Sequence, residues 1–341
     1  MKEVKNKRFF LNLLILFILL ALIFCVFHND YKEILECIKS ISLWGLLILL
    51  GMEIIYQLLD SAACYILIHS QFSFFKFRQA IGITFLGIFG NVATFSAGII
   101  PLQSYYLYKY GIEVGNSVGM INLKYIFHKL TIFIYAFVTI LVNKQWLRST
   151  IPNITKYIYI GFAVCAIILI FLILICTLRS VQLTLLKLID KLPDTKKWKN
   201  RKDVWRSNLK VLYDESKKVV GCKTCCISII IINILKLFLL YSIPFICIKV
   251  LGFSGLTFTE THILSSIMLL IIGVLPNVAG IGPTEFAFLM LFSTFLGKIQ
   301  APSALILYRI ATYFFPFLLS ILVFLKIKNS IINGIDDVNN E

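Results

Sequence analysis

The sequence predicts an all-α integral membrane protein, a multi-pass helical bundle with two broken, re-entrant segments arranged as an inverted repeat. Three observations carry this expectation. Of 341 residues, 59% are hydrophobic and only 15% charged, whereas a soluble domain carries about a quarter charged residues. The apolar residues gather in runs near or beyond the ~20 residues that cross a bilayer as a helix. Two of these runs are interrupted, by Asn91-Val-Ala-Thr-Phe-Ser-Ala-Gly-Ile-Ile-Pro101 and by Pro276-Asn-Val-Ala-Gly-Ile-Gly-Pro-Thr-Glu285. Proline removes a backbone donor and clashes with the preceding turn, so neither run continues as one helix. An unpaired amide in hydrocarbon costs several kcal/mol, and such a break survives only inside protein or beside a water-filled cavity. Breaks of this kind mark binding sites in transporters.

The elements follow in order. Lys2, Lys5, Lys7 and Arg8 precede an apolar run from Phe9 to Phe27, too long for the apolar core of a signal peptide. It reads as a first span with the N-terminus inside. A second span covers Leu43 to Ile68, and Lys76 and Arg78 then mark a cytoplasmic loop. The segment Gln79–Pro101 is broken by Gly82, Gly87 and Gly90 as well as by the run Asn91–Pro101. Spans near Ser117–Val142, Tyr157–Leu178 and Cys226–Val250 follow, then the broken segment Glu260–Leu296 and a last helix over Ser303–Leu325.

Charge decides the topology. The net charge of +16 is concentrated in loops, and residues 179–223 hold thirteen Lys and Arg against five acids. That asymmetry places the linker in the cytoplasm. The linker lands there only if Gln79–Pro101 dips in and returns, and the C-terminus is then cytoplasmic too. The arms of Glu260–Leu296, at about 14 residues or about 21 Å each, fall short of a ~30 Å core. Two ordinary short hairpins are the rival to re-entrant loops. The linker reads as a basic amphipathic helix pair on anionic lipid, with Trp198 and Trp205 at the interface; a docking platform for a partner is the other reading.

Ionisable groups within spans are functional candidates because burying them is expensive. Glu53 and Asp60 share one helix face, with Tyr56, Gln57 and Cys64 nearby. Lys124, His128, Lys129 and Lys236 lie in later spans. Mutual pairing between helices, Glu53 or Asp60 with Lys124, is the plain alternative. Glu285 opens a half-helix, where the helix N-terminus attracts a carboxylate. Arg309 either pairs with it or presents its planar fork to phosphate. The candidate substrate-binding set is Glu285, Arg309, Gly280, Gly282, Pro276, Gly98, Pro101 and Lys124; no catalytic residue, metal ligand or cofactor is expected. Cys222, Cys225 and Cys226 have the spacing of a metal knuckle without a second pair of ligands, so packing or acylation is expected instead. His28, His69 and His262 lie near span ends. No phosphate-cradling loop ending in Lys-Ser or Lys-Thr indicates ATP drive. The Ile, Lys, Asn and Phe usage fits an AT-rich bacterial genome.

The run Asn91–Pro101 with the Tyr-rich Tyr105–Gly111 after it, and Pro276–Glu285 with Tyr308-Arg309 further on, resemble the two signatures of the lysylphosphatidylglycerol synthase transmembrane region family. This is the flippase-like membrane half of the multiple peptide resistance factors. The resemblance covers nearly the whole chain in order, with Gly98, Pro101, Pro276, Gly282, Glu285 and Arg309 at matching positions. Thr94 and Val278 stand where the family has proline, Ile99 and Ala279 where it has glycine. These departures predict less sharp breaks and a divergent substrate or reduced activity. The resemblance implies a cell-membrane protein with phospholipid as partner, no direct nucleic-acid contact, and transfer of aminoacylated phosphatidylglycerol between leaflets. It also implies, as the alternative, a phosphatidylglycerol lysyltransferase that would need a separate soluble aminoacyltransferase partner. The chain reads as a single transmembrane domain, residues 1–341, without a soluble catalytic domain.

Overall fold

A computed structural model describes Glu36, Lys39 and residues 41–191, 196–275 and 280–338. The expected first span at Phe9–Phe27, His28, Pro276, Val278 and Ala279 lie outside the described residues. Those that are described form helices without a strand. In chain order they are α1 (Leu43–His69), α2 (Phe77–Ala93), α3 (Ile99–Lys109), α4 (Val114–Val142), α5 (Lys144–Thr150), α6 (Pro152–Thr177), α7 (Arg179–Asp190), α8 (Lys196–Gly221), α9 (Lys223–Val250), α10 (Phe258–Val274), α11 (Pro283–Arg309) and α12 (Phe315–Val338). Five stretches are long and apolar enough to cross a membrane: α1, α4, Ile158–Thr177 of α6, α9, and Pro283–Lys328. The protein is a multi-pass helical membrane protein.

The chain builds one unit twice. A span (α1 or α9) is followed by a 17-residue helix (α2 or α10), a break, a second arm, a glycine in the left-handed region (Gly111, φ 83°; Gly297, φ 81°) and a further long helix. Gly297 ends the second arm inside α11, next to the expected end of the broken segment at Leu296, whereas the last helical run begins before the expected Ser303 and extends beyond Leu325 to Val338. Helices α1 and α9 pack antiparallel, since Gly45 near the start of α1 lies under Val250 at the end of α9 and Asp60 meets Lys236. The two units are therefore inverted. Their outer helices are exchanged: α4 packs on α10 through Tyr135 and His262, and α12 packs on α2 through Phe89, Phe317 and Phe324.

Both broken segments are helical hairpins. In the first, Gly82 lies under Tyr106 and Gly90 against the backbone of Gly98, while Gln103 Nε2 donates to Ile83 O at 2.9 Å. The three glycines thus do not break α2 as the sequence had suggested. They clear a seam along which α3 returns, and the break is at Thr94–Gly98. Arms of 17 and 11 residues are about 26 and about 16 Å long, below the bilayer core, and the chain leaves on the face it entered. In the second hairpin Gly255 lies against Phe295 O, again joining the open ends.

The basic linker does form a helix pair, α7 and α8, but α8 is not only a surface element. Val211 and Glu215 of α8 pack on Gly115 and Gly119 of α4, a small-residue groove that lets two backbones approach. Ser216 Oγ donates to Cys176 O of α6. The apolar core falls into two clusters. One is centred on α9, α10 and α11 around Tyr241, Leu264, Phe288 and Phe292. The other lies between α1, α2, α3 and α4 around Leu67, Ile83, Leu107 and Met120.

Candidate functional site

The tips of the two hairpins meet in the interior. Asn91, near the end of α2, holds Ser96 by two bonds of 2.7 Å, from Ser96 Oγ to Asn91 Oδ1 and from Ser96 N to Asn91 O. Its Nδ2 lies 3.7 Å from where a Cβ on Gly280 would stand. At the first tip Phe95 and Ser96 adopt positive φ, and Thr94 closes the turn. The Thr94 hydroxyl donates to Gly90 O at 2.6 Å and accepts from Gly98 N at 2.5 Å. This corrects the expectation of a less sharp break at Thr94: a hydroxyl bridging the two arms does there what the ring constraint of a proline would otherwise do. Gly98 caps α3, and Pro101 sits in its first turn, where a missing N–H is tolerated.

The second tip is built on charge. Glu285 follows Pro283 in the first turn of α11 and accepts the Gly282 N–H on Oε2 at 2.6 Å. Its Oε1 accepts Arg309 Nε at 2.6 Å, and Arg309 Nη2 also contacts that oxygen. The same Nη2 donates to Gly280 O at 2.5 Å, and the guanidinium lies 4.9 Å from the centre of the Tyr313 ring. Gly280 and Gly282 have φ of 85° and 99°. A side chain at Gly280 would also stand 3.0 Å from Tyr313, so glycine is required by both conformation and space. Arg309 is 9% exposed; it ends α11, and the π-turn Ile310–Phe314 begins at the next residue. Such turns are frequent where a helix must turn a side chain into a site. A guanidinium carries five N–H donors, so the arginine that holds this loop retains capacity for an anion.

A second polar cluster lies where α1, α4 and α9 converge. Asp60 of α1 accepts Lys124 Nζ of α4 at 2.5 Å and Lys236 Nζ of α9 at 2.7 Å. Thr84 of α2 is at 3.5 Å, and Lys236 stands over the Tyr56 ring. One carboxylate thus serves two ammonium groups. Lys124 is therefore an ion-pair partner of Asp60, with 18% of its side chain exposed. Glu53, on the same face of α1, is 1% exposed. It accepts Gln57 Nε2 at 2.6 Å on one oxygen, and its other oxygen has no hydrogen-bond partner among the described residues. Lys129 turns to another face of α4, over the Tyr125 ring. His262 bonds Tyr135 at 2.5 Å and His69 bonds Phe75 O at 3.0 Å. Cys222, the N-cap of α9, is joined by a disulfide to Cys225 in that helix's first turn, which corrects the expectation of packing or acylation for this pair.

Of the predicted set, the structure brings together Glu285, Arg309, Gly280 and Gly282, sets Gly98 and Pro101 in the facing hairpin, and places Lys124 with Asp60. Asn91 and Tyr313 are outside the predicted set, and Thr94 entered the reading only as a departure from the family's proline. Tyr313 lies one helical turn after Arg309 on the same face, a spacing that could have pointed to it.

These features define a class: a multi-pass α-helical membrane protein in which inverted units bring two broken helices tip to tip around a buried charge pair. The chain belongs to the lysylphosphatidylglycerol synthase transmembrane region family, whose model matches residues 9–320. No curated protein and no solved structure matches the chain.

Proposed function

We propose that this chain moves a phospholipid, or another lipid-linked polar headgroup, between the leaflets of the membrane. The observation that carries the reading is Arg309, which is buried at the meeting of the two breaks and held by Glu285 and Gly280 O. Burying a charge pair costs several kcal/mol of desolvation per ion, an expense that a purely structural helix end avoids with apolar residues. In this reading Arg309 binds the phosphate, Glu285 orients Arg309 or meets a cationic headgroup, and Gly280, Gly282, Gly98 and Pro101 shape the hairpin tips. The chain acts as a single transmembrane domain, with the basic pair α7–α8 and both termini on the cytoplasmic side. The membership of the family supports lipid as the cargo.

The experiment is reconstitution into liposomes carrying a fluorescent phospholipid, with bilayer crossing read by dithionite quenching. Wild type accelerates crossing; Glu285→Ala and Arg309→Ala abolish the acceleration. Unchanged crossing in both variants refutes the proposal. The family's description favours one second reading, lysyl transfer to phosphatidylglycerol with a separate soluble catalytic partner. Lipid extracts of cells with and without the gene separate the two. Loss of the lysyl lipid itself supports synthesis, and lipid retained on the wrong leaflet supports transfer across the bilayer.

A further inference from the structure

At the far end of α6 from the basic pair α7–α8, the short helix α5 joins two spans and carries a feature that the transport reading does not use. A groove of about 520 Å³ runs between α5 and α6, lined by Arg148, Pro152, Lys156, Tyr159, Ile160 and Ala163. The five α6 residues recur at steps of three and four, so Lys156 and the apolar wall share one helix face. Thr155, also on the wall, braces the groove. Its hydroxyl lies 3.0 Å from Leu147 O and 2.8 Å from Ile151 O, which ties the residue before Arg148 to the start of α6.

No acid occurs between Glu113 and Asp190, so α4, α5 and α6 offer Arg148 and Lys156 no counter-charge. Packing brings Glu260 of α10 to this end, but its carboxylate is taken by Trp146 Nε1 at 3.1 Å and by the Thr257 amide and hydroxyl at 2.9 and 2.8 Å. Retention of Lys and Arg on one side of the membrane cannot account for clustered cations at both ends of α6. Lys156 stands just before the apolar stretch Ile158–Thr177. The cations therefore lie at headgroup height, while the exposed Tyr159, Ile160 and Ala163 lead down into the hydrocarbon. A free anion would use the cations and leave this wall uncovered. A zwitterionic lipid would bring its own ammonium to a site that already holds two cations. A lipid of net negative charge meets both demands, its phosphate accepting from the Arg148 fork and the Lys156 ammonium.

We propose that this groove is a binding site for an anionic phospholipid of the leaflet in which α5 lies, opposite to that of α7–α8. The phosphate sits between Arg148 and Lys156, and one acyl chain runs along Tyr159, Ile160 and Ala163. No hairpin residue takes part, so the site does not depend on the transport reading.

The test uses the full chain, purified in detergent and titrated with phosphatidylglycerol, phosphatidylcholine or inorganic phosphate, with bound lipid counted by native mass spectrometry and thermal unfolding followed in parallel. Phosphatidylglycerol is expected to bind most tightly and to raise the unfolding temperature most. The double variant Arg148→Gln/Lys156→Gln should lose roughly tenfold in phosphatidylglycerol affinity at the tightest site and approach the phosphatidylcholine value. The charge-matched control Lys187→Gln/Lys210→Gln, on α7 and α8, should leave that site unchanged. Ala163→Trp, which fills the wall below the cations, should weaken both lipids. Arg148 and Lys156 are exposed, so their replacement leaves folding intact and keeps the test decisive if Ala163→Trp misfolds. Equal affinity for the two lipids, an unchanged Arg148→Gln/Lys156→Gln variant, or an equal loss in the control overturns the proposal. So does stabilisation by inorganic phosphate equal to that by phosphatidylglycerol, which would make this a site for free anions instead.

Discussion

The two hairpins solve the same mechanical problem with different chemistry. In α2–α3 the reversal occupies five residues between the helices, and a neutral hydroxyl, Thr94, bridges the carbonyl of Gly90 and the amide of Gly98. In α10–α11 a carboxylate holds the amide of Gly282 while an arginine from the far end of α11 holds the carboxylate and the carbonyl of Gly280. Outside the tips the order reverses: the first unit supplies Asp60 and Lys124, with Lys236 from the second. Lys124 follows Gly111 by 13 residues, and Arg309 follows Gly297 by 12. Inverted units have thus placed a cation at nearly the same distance along the long helix that follows each hairpin. Only the second unit brings its cation to the hairpin tip. A hydroxyl staple can close a turn, but it cannot offer a charge to a ligand, and for that reason the proposed binding role falls to the second tip.

The sharpest break of this comparison is Arg309→Gln. It leaves Glu285 buried without its cation, and losing one partner of a buried pair costs about 3–5 kcal/mol. Thermal unfolding in detergent should fall accordingly. Arg309→Lys should recover part of the stability but not the fork geometry, so lipid crossing stays low. Asp60→Asn comes next. It strips two ammonium groups of their shared acid, at about 3 kcal/mol given its partial exposure. Adding Lys236→Met to Asp60→Asn should restore some of that loss in a double-mutant cycle. If Asp60→Asn leaves stability unchanged, the cluster is not the paired network described.

Smaller effects separate the seams. At Gly90 a Cβ would stand 2.9 Å from the carbonyl oxygen of Gly98, a backbone atom, so Gly90→Ala should cost about 1–3 kcal/mol of overpacking. At Gly87 the obstacle is the amide end of Gln103, a flexible side chain, and Gly87→Ala should be milder. Equal unfolding temperatures for the two variants would contradict the seam. Gly280→Ala forces a left-handed residue at φ 85°, a penalty of about 1–2 kcal/mol. The smallest change is Thr94→Val, which keeps shape and removes the staple at a net cost of about 1 kcal/mol. It should lower stability slightly and leave lipid crossing intact, whereas the charged second tip tolerates no such exchange.

Much of this was legible in the residues. Hydropathy placed α1, α4, α6 and α9 to within about five residues, because a ~30 Å layer leaves little choice of length. The runs Asn91–Pro101 and Pro276–Glu285 marked both breaks because each gathers residues that disfavour a continuous helix within a few positions, whereas the scattered Gly82, Gly87 and Gly90 stay helical. The pairing of Glu285 with Arg309 was one of the two readings that opposite charges at depth allowed, and the structure shows it made. Other features needed the third dimension. Gly82, Gly87 and Gly90 look like breakers until the returning α3 shows what their missing side chains admit. Thr94 looks like a weakened proline until its two hydrogen bonds are seen. Whether Asp60 would take Lys124, Lys236 or both depends on the crossing of α1, α4 and α9, and local periodicity carries no information about crossings. The sequence by itself determined which segments enter the membrane and where they fail to be helical, because solvent and backbone chemistry act residue by residue. Tertiary structure alone decided which failures face each other and which charges share a partner, because those are distances between segments remote in the chain.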